Sequence, residues 1–167
     1  MLTKPADTAL AAEQMQEEND AFLDFLRRYP ADELDLTVHR LNDTVSSQVD
    51  CRRCGQCCRS LMINVKPGEI PPLAQHLDLD AANFIGQYLE QSLEGQFIIN
   101  RQPCHFLSEN KCNVYDLRFQ SCRDFPHLHQ PDVRRRLFSI FMSYGRCPII
   151  FNVLEMLKLE LNFLSDS

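Results

Sequence analysis

The sequence predicts a mainly helical protein with a few short strands, a small α+β fold whose irregular, cysteine-rich middle is flanked by helices. Three observations carry this expectation. Apolar residues recur at helical spacing over residues 8–48 and 133–164. Only Leu61–Val65 and Phe97–Ile99 read as strands. The stretch 104–131 holds three cysteines, three histidines and two prolines (Pro126, Pro131) with little periodicity.

Residues 8–29 read as one helix, with Thr8 as N-cap and Met15, Phe22, Phe25 and Leu26 as apolar positions. Tyr29-Pro30 should end it, because a proline ring disfavours helical geometry in the residue before it. Leu34, Val38, Leu41 and Val45, spaced by 4, 3 and 4, predict a second helix that forms an α-hairpin with the first. After the strand at 61–65, Lys66-Pro67-Gly68 is a break. Short helices follow at 69–76 and 80–90, the latter capped by Asp80. Val133, Leu137, Phe141 and Tyr144 share a helical face that Gly145 would stop. Pro148 suits the first turn of a last helix, whose stripe is Ile149, Ile150, Val153, Leu154, Leu157, Leu161 and Leu164. The expected organisation is an N-terminal hairpin (1–49), a cysteine-cluster region (50–150) and a C-terminal amphipathic helix (151–167), all in one folding unit.

The chain has 167 residues, 44% of them apolar, enough for a hydrophobic core without covalent staples. Its net charge of −6 argues against sequence-independent nucleic-acid binding, which needs a basic footprint. The one dense basic group, Arg134-Arg135-Arg136, reads as a solvated helix face. The N-terminus, MLTKPADTALAAEQMQEEND, lacks the apolar stretch of a secretory signal. No segment approaches the ~18 apolar residues of a membrane span. A cytoplasmic location is expected. In a reducing compartment eight cysteines read as ligands or catalysts before disulfides.

Cys51, Cys54, Cys57 and Cys58 fall within eight residues as Cys-x-x-Cys-Gly-x-Cys-Cys. A Cys-x-x-Cys pair brings two thiolates to one metal from a single turn, with sulfurs about 2.3 Å from a zinc ion. On a continuous helix all four would lie within about a third of the circumference. Gly55 argues for a tight turn instead. Cys51, Cys54 and Cys57 are expected within reach of a common centre. Cys58, Cys104, Cys112, Cys122 and Cys147 would complete the shell and order the irregular 104–131 segment. Eight sulfurs suffice for two four-thiolate sites, or for one iron–sulfur cluster with thiols to spare. The Cys51-x-x-Cys54-x-x-Cys57 run has the spacing of the first three ligands in bacterial ferredoxins, and Cys147-Pro148 suits the remote fourth. Cys-x-x-Cys-Gly suits a zinc knuckle equally. The cofactor is therefore an iron–sulfur cluster or a zinc ion. His105, His127 and His129 lie near cysteines and are candidate substitutes for a sulfur. Arg118 and Arg123 could support cluster sulfurs or pair with Asp116 or Asp124.

Three stretches in order carry a resemblance. They are Cys51–Cys58; Pro103-Cys104-His105-Phe106-Leu107 with Lys111-Cys112-Asn113-Val114-Tyr115; and Arg118-Phe119-Gln120-Ser121-Cys122-Arg123-Asp124-Phe125-Pro126. Over about residues 50–150 the chain resembles the YkgJ-like cysteine-cluster family, the zinc- or iron-chelating CxxCxxCC domain. The family usually has Arg-Pro where this chain has Arg118-Phe119, which opens the local turn to a different geometry. The resemblance implies metal chelation by the cysteines and no single reaction. Some members are labelled iron–sulfur oxidoreductases, and a similar domain occurs in flagellin lysine N-methylases. This chain has no Gly-rich nucleotide-binding turn, so methyl transfer is not carried over. The leading expectation is a structural or electron-transferring metal centre. The alternatives are an iron–sulfur oxidoreductase or component of a protein-modifying system, and a protein that stores or delivers zinc or iron. The metal is the partner named by the sequence; no protein partner is legible.

Overall fold

A computed structural model describes residues 1–163. In chain order its elements begin with α1 (Pro5–Gln14), α2 (Gln16–Arg28), α3 (Ala31–Ser46), α4 (Cys51–Cys54) and α5 (Cys57–Ser60). Next come β1 (Ile63–Val65), a 3-10 turn, α6 (Ile70–His76), α7 (Ala81–Tyr88), β2 (Glu90–Gln91) and β3 (Phe97–Ile99). The chain continues through β4 (Leu107–Ser108), β5 (Lys111–Cys112), a second 3-10 turn, α8 (Gln120–Asp124), α9 (Val133–Met142) and α10 (Pro148–Glu160). The protein is mainly α with small sheets. Among the described residues no helix is long and apolar enough to cross a membrane. The chain divides into two compact units: 1–50 with 126–167, and 51–125.

In the first unit α10 is buried nearly all round, through Ile149, Ile150, Phe151, Val153, Leu154 and Leu157. That pattern marks a helix at the centre of its core. Leu164, named in its stripe, lies outside the described residues. Helix α3 packs on α10 and α9 through buried Leu34, Val38, Leu41 and Val45, while α2 packs on α9. These long-range packings, more than a local hairpin, hold the N-terminal helices.

The first helical run differs from expectation at its start and in its middle. Pro5 occupies the first turn of α1, where its missing N–H needs no partner, and Lys4 is the N-cap. Thr8 therefore lies inside the helix, fully buried, its hydroxyl donating to the Lys4 carbonyl at 3.0 Å. The run then breaks at Met15 (φ −106°, ψ 13°) before α2 resumes. Tyr29 is extended before Pro30, as the sequence predicts.

Two polar devices tie this unit together. Asp35 on α3 accepts from the backbone N–H groups of Asp132 (2.7 Å) and Val133 (2.9 Å), capping α9 from across the sequence. Asn152 on α10 accepts from the Leu2 N–H at 2.9 Å and donates to the Leu2 carbonyl at 2.6 Å. The arginine triplet is not one solvated face. Arg134 and Arg135 are exposed, whereas half-buried Arg136 donates to the carbonyls of His127 (2.7 Å) and Pro131 (3.0 Å).

In the second unit β3 is the central strand of an antiparallel sheet ordered β1-β3-β2, with Ile63 opposite Ile99 and Glu90 opposite Ile98. Asp80 caps α7, accepting from the Asn83 N–H at 2.8 Å. The core gathers Ile63, Val65, Ile70, Leu73, Phe84 and Ile99 with Phe106, Val114 and Phe119. The last three come from the aperiodic segment expected to owe its order to its cysteines. They are 6%, 6% and 3% exposed, so burial anchors that segment too, without any helical or strand repeat.

Phe106→Ala is accordingly expected to destabilise the metal-free protein by about 3–5 kcal/mol, the usual cost of removing a buried phenyl ring. Denaturant unfolding, with hydrogen exchange across residues 104–125, checks this. Unchanged protection in the variant would show that the ring does not order the segment.

Candidate metal centre

The cysteine motif folds as two single helical turns joined at Gly55. Helix α4 carries Cys51 and Cys54 three residues apart, on one side of the turn. Gly55 adopts φ +62°, and a Cβ there would stand 2.8 Å from Arg59 Nη1 and 3.2 Å from the Asn110 carbonyl oxygen. Both the left-handed backbone and the lack of space require glycine. Helix α5 then carries Cys57 and Cys58. Of the two geometries open to the sequence, the chain takes the turn.

Three further segments bring the downstream cysteines to this motif. The Cys104 N–H donates to the Cys58 carbonyl at 2.7 Å. β4 and β5 form a hairpin that sets Cys112 opposite Leu107. Its two-residue turn, Glu109 (φ 47°) and Asn110 (φ 67°), has the positive φ pair that matches strand twist. Helix α8 carries Cys122 and is pinned by Ser121 Oγ donating to the Asn64 carbonyl (2.7 Å) and by the Gln120 N–H donating to Glu69 (2.5 Å).

Phe119 stands where the family usually has proline, yet the turn keeps a proline-like shape. Its φ is −57°, inside the range a pyrrolidine ring imposes, and Arg118 before it is extended at ψ 142°. The phenyl ring adds burial at no change in backbone form.

Cys51, Cys57, Cys58, Cys112 and Cys122 line one small cavity of about 60 Å³, together with Arg52, Tyr115 and Arg118. Cys54 and Cys104 are half-buried and are not among its lining residues. Cys104 is nonetheless near enough to Cys58, Cys112 and Cys122 for their charges to interact. Cys147 belongs to the helical unit, buried at the N-cap of α10. None of the eight cysteines is in a disulfide. Among the described residues, no group of three or more Cys, His, Asp or Glu side chains is already arranged to hold a metal ion. The thiols share a cavity without converging on one point.

Their electrostatics are those of crowded thiols. Cys58 is pushed far up by its hydrogen bond with Cys57, then by burial, against the opposing charges of Arg59 and Arg118. Cys122 is pushed up to about 12, chiefly by burial and then by Cys58, Cys104 and Cys112. Burial also raises Cys104 and Cys112. At neutral pH these groups stay protonated, since Arg59 and Arg118 oppose the build-up of several thiolates without overcoming it. A soft cation would offset them, and sulfur is the donor that zinc and iron–sulfur centres use, so the donor set fits such a group in kind.

No histidine is among the residues that line this cavity. His105 meets the Tyr88 ring edge-on at 5.2 Å and lies 3.3 Å from Arg101, with its pKa lowered by burial and then by that guanidinium. His127 and His129 belong to the helical unit. Arg118 stacks 3.5 Å over the Tyr115 ring and donates to the Tyr115 carbonyl at 2.8 Å, while Arg52 lies over the same ring at 4.4 Å. Arg123 turns instead toward Glu69, at 4.0 Å. Arg52, Arg59 and Tyr115 were not legible as site residues, although both arginines sit inside or beside the cysteine motif.

A chain with this thiol-lined cavity is of the cysteine-cluster, metal-chelating class. Residues 50–141 match the model of the CxxCxxCC family, described as "Putative zinc- or iron-chelating domain", and the chain belongs to that family. No curated protein and no solved structure matches it.

The raised thiols fix the sign of a pH effect. A thiol that keeps its proton to higher pH when folded contributes stability that is complete below the unfolded value of 9.0 and is lost as pH rises toward the folded one, about 12 for Cys122. Metal-free protein should therefore lose stability as pH climbs from 9.0 toward about 12, and Cys122→Ser should lose less. Unfolding midpoints across that range check it; identical slopes in the two proteins would sink the assignment.

Proposed function

We propose that the cysteine-rich unit is a thiolate metal centre with a structural or electron-transfer role, held by Cys51, Cys54, Cys57, Cys58, Cys104, Cys112 and Cys122. Cys147 enters the proposal only through the Cys147-Pro148 pair of the sequence. The observation that carries the reading is the shared cavity: five thiols from three stretches of chain, 51–58, 112 and 122, form its wall. Coordination would require the cysteine side chains to turn about χ1, their one torsion before sulfur, among its staggered wells.

An iron–sulfur cluster is the favoured occupant. The spacing of Cys51, Cys54 and Cys57 supports it, and so does a set of thiols larger than the four one zinc ion takes. Such a cluster would supply one-electron transfer. Arg52 and Arg118 would then balance the negative charge of several thiolates from beside the cavity. Zinc is the second reading, supported by the Gly55 turn directly after Cys54. A cavity of about 60 Å³ is far below the ~300–1,000 Å³ of small-molecule pockets, which favours a closed centre over an enzyme that seats an organic substrate on its metal.

Protein purified without oxygen should contain stoichiometric iron with acid-labile sulfide and absorb in the visible, or else stoichiometric zinc without colour. Cys57→Ser and Cys58→Ser should each weaken metal binding by more than about a hundredfold, beyond what loss of a merely orienting group costs. A wild-type protein that holds neither metal, as purified or after reconstitution with either, would end this reading.

A further inference from the structure

The seven thiols of the cysteine-rich unit differ in their surroundings. Cys58, Cys104, Cys112 and Cys122 come from separate segments, and the fold gathers all four. The Cys104 N–H donates to the Cys58 carbonyl at 2.7 Å. Cys104, Cys112 and Cys122 pack against the buried core that holds Phe106, Val114 and Phe119. Each of the four is close enough to the other three for their charges to interact. Cys57 joins this set through its hydrogen bond with Cys58.

Cys51 and Cys54 stand apart. Both lie on α4, a single turn with no buried residue. Cys51 is the one exposed cysteine of the eight, yet it also lines the thiol cavity. Cys54 is half-buried and is not part of the cavity wall. Their spacing sets both on one side of the turn, where two thiolates can take one ion. Two sulfurs leave a four-coordinate ion half satisfied, and a single turn with nothing buried shifts easily. Such a pair suits brief capture better than permanent binding.

We propose that Cys51 and Cys54 are the loading site of the metal centre. They take a divalent cation such as zinc or ferrous iron from solution and pass it to the inner thiols Cys57, Cys58, Cys104, Cys112 and Cys122. Cys51 is both exposed and part of the cavity wall, so ligand exchange can run across it. The α4 thiols give up their protons as they take the ion. They regain protons from solvent as inner thiols, losing theirs, replace them. No electron moves. The inference rests on the metal-centre reading above and divides its thiols. Five remain for the resident metal, still more than the four one zinc ion takes, so the favoured occupant is unchanged.

The test adds cobalt(II) to the metal-free full chain. Stopped-flow absorbance of the sulfur-to-cobalt band gives the loading rate, and chelator competition gives the affinity. Cys51→Ser combined with Cys54→Ser should load about tenfold more slowly, or slower still, and keep its affinity within about tenfold of wild type. Release should slow in step. Cys112→Ser, which removes an inner thiol, should lose more than about a hundredfold in affinity. Should the double variant fail to fold, Cys51→Ser alone, at the exposed position, should still load more slowly with its affinity kept. Loading as fast as wild type would overturn the inference. So would a loss of affinity beyond about tenfold, which would make the α4 thiols resident ligands. A wild type that takes up no cobalt would also overturn it, whereas the metal-centre reading falls only if zinc and iron fail too.

Discussion

Arg59 fills the space that a side chain at position 55 would need, and the cysteine cavity depends on that exchange. Its guanidinium donates to the Gly55 carbonyl at 3.2 Å and to the Asn110 side chain, and so joins the motif's turn to the tip of the β4–β5 hairpin. Cys57 and Cys58 lie just beyond that turn, and Cys112 lies at the base of that hairpin. Neither piece could find its place alone. Two single helical turns bury too little to be stable, and a two-stranded hairpin is marginal at best in water. Joined across Gly55, with the Cys104 N–H bonded to the Cys58 carbonyl, they become one wall.

Crowding thiols in this way has an electrostatic consequence that shapes the rest of the site. Each ionisation makes the next harder, and burial adds to the cost. The guanidinium groups of Arg59 and Arg118 oppose the effect at Cys58 but do not overcome it. Tyr115 keeps Arg52 and Arg118 beside the cavity by offering its ring face to both. The site therefore combines neutral thiols with fixed positive charge at its margin, an arrangement suited to accept anionic sulfur once a cation enters.

How much of this was legible depended on whether a signal was periodic, local or neither. The helices at 31–46 and 148–160 were readable because their buried residues recur every three or four positions. Asp80 was readable because its cap is made to a residue three positions on. Thr8 looked like a cap, but Pro5 had already begun the helix, and a threonine inside a helix can bond back to the carbonyl four residues earlier. Arg136 looked solvated because nothing local reveals that the carbonyls of His127 and Pro131 converge on it. The cysteines were legible as a set from spacing. Which of them line one cavity was not, because that depends on Gly55, on a hairpin turn and on α8 being pinned to β1.

The aperiodic segment shows most plainly why sequence and structure part here. Phe106 follows Cys104 by two residues, Val114 follows Cys112 by two, and Phe119 precedes Cys122 by three; all three apolar residues are buried in one core. Each downstream cysteine is thus held close to an apolar anchor. Spacing of this kind has no period, since it repeats the distance from thiol to anchor and not the pitch of a helix or strand. It also changes what metal has to do. Where a small domain lacks a core, the metal must supply the folding free energy itself. Here burial places the backbone of Cys104, Cys112 and Cys122 beforehand, so in the proposed centre coordination would ask only for changes in side-chain torsions. Binding free energy that would otherwise order the chain would then be available for affinity.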